Sequence, residues 1–268
     1  MQIHPHAIVH SNARLADDVV VGPFCVVGEH VTIGKGTKLV SHVTVEGWTE
    51  IGQRCELHPF VSIGGPPQHL GYKGEVTKVL IGDDNVLREY VTVNRATVQG
   101  GGITSLGNKN FLMAYCHVAH DCRLGSHIIM ANAASLAGHI TIGDHAIIGG
   151  LSGIHQFVRI GAYAMVGGCC ALGQDLPPFM RAAGGYRARM YGLNSVGLRR
   201  HGFSTDRIAA LKKAYDLLFR SGHRTGEAAR LAKAEFGDQP DVMQVVAFLD
   251  GTKRGISRSV GKEQEDEE

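Results

Sequence analysis

The sequence predicts an all-β parallel solenoid of hexapeptide repeats, followed by a small α-helical C-terminal domain. Three observations carry this. Aliphatic residues recur every six positions from Ile3: Val9, Leu15, Val21, Val27, Ile33, Leu39, Val45, Ile51, Leu57 and Ile63, resuming at Ile81, Leu87 and Val93. After a one-residue shift the series continues: Leu106, Leu112, Val118, Leu124, Met130, Leu136, Ile142, Ile148, Ile154, Ile160, Val166 and Leu172. All 26 stops are aliphatic or methionine, which excludes chance. The residue two before a stop is usually small, as at Ala7, Cys25, Thr37, Cys55, Cys116, Cys122, Ala134 and Cys170; the residue after it is often glycine.

A period of six fits neither a helix nor a long alternating strand. It fits short strands meeting at bends, three hexads to a triangular coil, with coils stacked at about 4.8 Å. The stop and the small residue before it point inward, and glycine is expected to supply the backbone angles of the bends. Five of the six cysteines (Cys25, Cys55, Cys116, Cys122, Cys170) fall on the small inward position and read as buried free thiols. With no C-x-x-C pair, spacing supports neither zinc nor disulfides.

The expected solenoid covers residues 1–190. Two segments break its phase: 65–78 (GPPQHLGYKGEVTK), as long as a whole coil but with His69 and Glu75 at the stops, and 94–104 (NRATVQGGGIT). Both are expected to protrude, and loops on a rigid scaffold carry function. After Leu172 the period ends at Pro177-Pro178. Helical signals fill 191–258. Ser204 or Thr205 caps a helix bearing Ile208, Leu211, Tyr215, Leu218 and Phe219; a second runs from Thr225 to Phe236 before Gly237; a third runs from Pro240 to Gly251. The acidic tail, 259–268, is expected to be disordered.

The formal charge is only +2, so no nucleic-acid partner is indicated. The charge is uneven, however: Arg181 to Arg254 holds 14 basic and 7 acidic residues, which suits an acidic partner. No apolar run reaches the roughly 20 residues of a membrane span, and the N-terminus lacks the pattern of a signal peptide. A cytoplasmic protein is expected, and no motif calls for a cofactor.

Coil arithmetic brings four of the 15 histidines together. Val118, Leu136 and Ile154 are equivalent stops, 18 residues apart. His120, Gly138 and Gln156 each lie two past a stop and stack along one edge, with His117, His139 and His155 beside them. Histidine is the natural base for a sugar hydroxyl. Asp121 is placed to orient it, and the N–H of Gly138 to receive an oxyanion. Two other readings stand beside this one: a metal held by histidines between subunits, as in hexapeptide-repeat carbonic anhydrases, and a catalytically silent scaffold with a solvent-facing polar ladder.

The stretches HVAHDC (117–122), LAGHITIGD (136–144), IHQF (154–157) and GLRRHGF (197–203), together with LREYVTVNRAT (87–97) and VQGGG (98–102), resemble the UDP-N-acetylglucosamine O-acyltransferase family over nearly the whole chain. The resemblance implies a left-handed β-helix and a homotrimer with active sites between subunits. It implies transfer of a 3-hydroxyacyl chain from acyl carrier protein to the 3-position of UDP-N-acetylglucosamine, the first step of lipid A synthesis. Carried over, His120 is the base, Asp121 its partner and Gly138 the oxyanion donor. His139, His155 and Gln156 line the cleft with His117 and His69. Asn194 and Arg200 approach the nucleotide and phosphates, and Gly168 limits acyl length, glycine leaving room for a long chain. Departures are His69 and Gly71, where relatives carry aspartate and lysine, and Val196 and His201, where they carry charge. Some relatives acylate a 3-amino sugar instead. A later N-acyltransferase of the same pathway carries an extra N-terminal uridine-binding domain, for which a repeat beginning at Ile3 leaves no room.

Overall fold

The computed structural model describes residues 1–257. The expected acidic tail therefore lies outside the described residues. Each hexad forms a strand of two to four residues that ends on its aliphatic stop and then turns a corner, except Ser62–Gly65 and Thr92–Asn94, which run past theirs. Every third strand pairs, so the described residues build three flat faces. The first has eleven strands beginning with Gln2–Ile3, the second nine beginning with Ile8–Val9, and the third eight beginning with Arg14–Leu15. Pairing is parallel and in the register the period demands: Val118 opposite Leu136, and Leu136 opposite Ile154.

The stops fill the prism. Leu39, Leu57, Leu87, Leu112 and Val118 are fully buried, as are the small residues Cys25, Thr37, Cys116 and Ala134 beside them. The first coil is more open: its stops Ile3, Val9 and Leu15 are exposed or half-buried, whereas Val21, Val27 and Ile33 of the next coil are buried. Burial raises the thiol of Cys116 to about 11 and that of Cys122 to about 12, as expected for inert core cysteines.

The glycines after the stops do a different job from the one expected. The bends do use the left-handed region, but three residues past the stop and mostly at non-glycine positions: Phe24, His42, Phe60, Tyr90, Tyr115, Asp121, His139, Phe157 and Tyr163 all have φ between 51° and 68°. Among the glycines that follow stops, Gly64 shares that conformation. Elsewhere the reason is close approach: a Cβ at Gly34 would lie 2.7 Å from the carbonyl carbon and oxygen of Gly52 in the next coil, and one at Gly82 2.7 Å from the Gly107 oxygen. Left-handed residues with side chains cost roughly 1–2 kcal/mol each. Stacking offsets part of that cost along one edge, where Phe60, Tyr90 and Tyr115 lie face to face at 4.9 and 4.8 Å.

Both phase breaks protrude, and they leave the prism at one edge. The first departs from Ser62–Gly65 on the second face and rejoins at Lys78–Ile81 on the third. The second departs from Thr92–Asn94 and rejoins at Ile103–Leu106, one coil further on. The 66–77 excursion is not an extra coil, because Ile51 pairs directly with Ile81. Arg95, at the base of the second loop, holds the first, donating from Nη1 to the Gly64 carbonyl at 2.6 Å and from Nη2 to the Tyr72 hydroxyl at 3.1 Å.

Past the repeat, Met180–Ala183 adds a parallel strand to the first face, and Arg189–Leu193 pairs back against it antiparallel. Four helices follow among the described residues: α1 (Ser195–Arg200), α2 (Thr205–Phe219), α3 (Thr225–Phe236) and α4 (Pro240–Asp250). The last three match the sequence signals, with Ser204 as the cap of α2. The hairpin and α1 were not foreseen: too short to show a period, α1 is set by its cap, Asn194, whose side chain accepts from the Gly197 N–H. Among the described residues, no helix is long and apolar enough to cross a membrane.

Candidate active site

The edge from which both loops leave is the edge the histidines occupy. His120 and Asp121 turn the corner on the coil after the second loop, Gly138 and His139 on the next, and Gln156 and Phe157 on the one after. The loops therefore wall off one side of a cleft of about 1090 Å³, lined by His69, His117, His120, Gly138, His155 and Gln156 among others.

At its centre the His120 Nδ1 lies 2.7 Å from Asp121 Oδ2. The two residues are 6% and 4% exposed, so water barely competes for this bond. The carboxylate is itself held: the Thr97 N–H donates to Oδ1 at 3.0 Å, and the Thr97 hydroxyl to Oδ2 at 2.7 Å. The Asp121 N–H in turn donates to the Thr104 hydroxyl at 2.8 Å. A carboxylate on Nδ1 fixes the tautomer, leaving Nε2 free as a base. Gly138 is required here by contact: a Cβ would fall 2.5 Å from His120 Cε1 and 2.8 Å from Nε2. Its N–H makes no bond within the described residues and remains available to an oxyanion.

Two of the flanking imidazoles, His117 and His139, are shifted toward the neutral form. Burial lowers the pKa of His117, with the His120 charge adding to it, and its Nδ1 meets the Thr92 hydroxyl at 2.7 Å. Burial also lowers that of His139, although Asp121, 3.5 Å from its Nε2, works against the shift. His155 bonds its neighbour's backbone, Nδ1 to the Gln156 carbonyl at 3.1 Å.

His120, Asp121 and His139 offer ligand atoms within 4.8 Å of one another, a spacing a metal ion would accept. The carboxylate, however, already accepts from Thr97 twice and bonds His120. That arrangement serves proton transfer and would have to be dismantled for coordination.

Three sequence candidates are not brought to His120 within one chain. Asn194 is buried on a different edge, its amide donating to the Tyr163 carbonyl at 3.0 Å, and Arg200 is exposed at the end of α1 beside it. Gly168 sits at the corner where the chain enters the second face, across that face from the histidines. Conversely, Thr97 and Thr104 went unforeseen, because they lie where the phase is broken. Arg187 and Arg189 of the terminal hairpin line the far end of the cleft, and only the basic balance of that segment hinted at them.

Residues 175–257 match the family model described as UDP N-acetylglucosamine O-acyltransferase, domain 2, and residues 12–47 match the bacterial transferase hexapeptide model. The chain is 54% identical to acyl-[acyl-carrier-protein]–UDP-N-acetylglucosamine O-acyltransferase of Thermodesulfovibrio yellowstonii, over 96% of this chain and 99% of that protein. Among solved structures, LpxA of Acinetobacter baumannii is 44% identical with a TM-score of 0.94, covering 96% of this chain and 100% of that one. The UDP-N-acetylglucosamine O-acyltransferase (LpxA) of Moraxella catarrhalis is 43% identical with a TM-score of 0.93, over the same shares. The solenoid is thus the left-handed parallel β-helix expected from the resemblance. Identity of this extent over nearly the whole chain, with the matching family model and solved structures, shows that the chain is an acyltransferase belonging to the UDP-N-acetylglucosamine O-acyltransferase family.

Proposed function

We propose that this chain transfers a 3-hydroxyacyl chain from acyl carrier protein to the 3-hydroxyl of UDP-N-acetylglucosamine, the first step of lipid A synthesis. The observation that carries this reading is the His120–Asp121 pair, buried and hydrogen-bonded at 2.7 Å in a cleft large enough for a nucleotide sugar. His120 Nε2 takes the proton of the sugar hydroxyl as its oxygen attacks the thioester carbonyl. The oxyanion that forms lies within reach of the Gly138 N–H. On collapse the carbon–sulfur bond breaks, and the departing thiolate takes the proton back from the imidazolium. Acyl ester and free carrier thiol are the products. His117, His155 and Gln156 line the path of the sugar; His139, expected there from the sequence, is not among the cleft-lining residues and has its Nε2 3.5 Å from Asp121 Oδ2.

Asn194 and Arg200 lie on another edge, so they complete the cleft only when a second copy presents that edge, which is the arrangement of a cytoplasmic homotrimer. Arg200 then meets the diphosphate, and the basic segment 181–254 meets the acidic carrier protein. Gly168 borders the groove left for the acyl chain, so carriers loaded with long chains are preferred over short ones.

The test is a transfer assay with hydroxyacyl carrier protein and UDP-N-acetylglucosamine. His120→Ala lowers kcat by about 10²–10⁴-fold with the fold intact. Undiminished turnover, or stoichiometric zinc with bicarbonate-forming activity, overturns the reading.

A further inference from the structure

The second excursion, 94–104, carries three successive glycines, and they are not alike. Gly101 and Gly102 turn in the left-handed region, with φ at 98° and 76°, and bend the loop. Gly100 lies outside that region, so its conformation does not call for glycine. What forbids a side chain there is Asp121. A Cβ on Gly100 would overlap the Asp121 carboxyl carbon and Oδ1 and lie 2.5 Å from Oδ2.

The two bends close the loop on itself. The Gly101 N–H donates to the Val98 carbonyl at 3.1 Å, and the Gly102 N–H to the Thr97 carbonyl at 2.9 Å. Closure brings Gly100 against the carboxylate, whose side chain is fully buried. The Gly100 N–H donates to the Thr97 hydroxyl oxygen at 3.1 Å. A backbone N–H can only donate, so it occupies a lone pair of that oxygen and leaves the hydroxyl hydrogen for Asp121 Oδ2, 2.7 Å away. Oδ2 in turn meets His120 Nδ1 at 2.7 Å. Gly100 N–H, Thr97 hydroxyl, Asp121 carboxylate and His120 imidazole thus form one directed chain, in which each bond polarises the next.

Building on the acyl-transfer reading, we propose that Gly100 is a positioning residue for the transfer: it seats the second excursion as a cover on Asp121, directs the Thr97 hydroxyl into the carboxylate and keeps water off it, so that His120 is held by Nδ1 with Nε2 free for the sugar hydroxyl. With the cover lifted, water solvates the carboxylate and competes with the imidazole for Oδ2. The ring then spends most of its time in orientations that cannot take the proton.

Two measurements on the full-length chain test this. Proton NMR with nitrogen-labelled histidine reads the His120 Nδ1–H without turnover. The unaltered chain keeps that hydrogen protected from exchange with water, and Gly100→Ala opens it to exchange. In initial-rate assays with hydroxyacyl carrier protein and UDP-N-acetylglucosamine, Gly100→Ala lowers kcat by about 10- to 100-fold, with KM for either substrate within about twofold. Val98→Ala, on the same loop but 56% exposed, stays within about twofold in both constants. Gly100→Ala added to Thr97→Val costs less than about threefold further, because both act through one bond. Multiplied losses in the double variant, or a KM effect in place of the kcat effect, overturns the proposal. So does free exchange of the His120 Nδ1–H in the unaltered chain, a result that stands even if Gly100→Ala does not fold. A chain that acylates no nucleotide sugar overturns the acyl-transfer reading, and the exchange measurement still decides whether Gly100 covers Asp121.

Discussion

Asp121 turns its corner with φ at +64°, a conformation aspartate tolerates better than most residues, and this aims its carboxylate back at the neighbouring imidazole. Thr97 then decides whether the pair is aligned. Thr97→Val keeps the shape but removes the 2.7 Å hydroxyl bond to Asp121. A bond to a buried charge contributes about 1.5–3 kcal/mol, so kcat falls by about 10- to 100-fold with KM nearly unchanged in initial-rate assays. Gly138→Ala places a methyl 2.5 Å from His120 Cε1 and displaces the base, and kcat falls by at least about 10²-fold while the circular dichroism spectrum stays native. His120, Gly138 and Gln156 were legible in the sequence because a fixed coil length converts spacing into stacking. Thr97 and Thr104 were not, since an excursion of unknown path gives no register from which to count.

The hexad itself was legible as short strands meeting at bends, because stop and small residue must both face inward for a triangular coil to fill. The purpose of the glycine after the stop was not. Sequence records that a side chain is absent, and conformational freedom and close approach both explain such an absence. The distinction has a measurable consequence. Gly34→Ala forces a methyl against the Gly52 backbone and costs about 1–3 kcal/mol in urea unfolding, although its own φ suits alanine. Gly226→Ala, in α3 with nothing near its Cβ, instead stabilises by about 0.5–1 kcal/mol.

For the whole molecule, burial lowers the pKa of His117, His139 and His145, and the His127 and His201 charges add to the last of these. The unfolded chain takes up protons near the ordinary value of about 6.5, before the folded one does. Stability from these groups is therefore complete above pH 6.5 and is lost as pH falls toward their lowered folded values. Melting temperature measured from pH 7.5 downward should decline below about pH 6.5, and His145→Gln should flatten the decline. What one chain's sequence left hidden at this scale is the proposed union of edges: Asn194 and Arg200 sit around a corner from His120, and nothing in an intramolecular period says which edges would meet between copies. Arg200→Glu should raise KM for the nucleotide sugar by about tenfold, and light scattering should report the proposed three copies for variant and unaltered chain alike. The two excursions add a last consequence. The first rejoins in register with the coil below, as Ile51 opposite Ile81 shows, although the register shifts between Ile63 and Gly65 where it departs. His69 on the first excursion and Thr97 on the second are nevertheless tied through Arg95, which bonds Gly64 and Tyr72, so a relative that exchanges the first excursion keeps the proposed alignment only if that arginine keeps its partners.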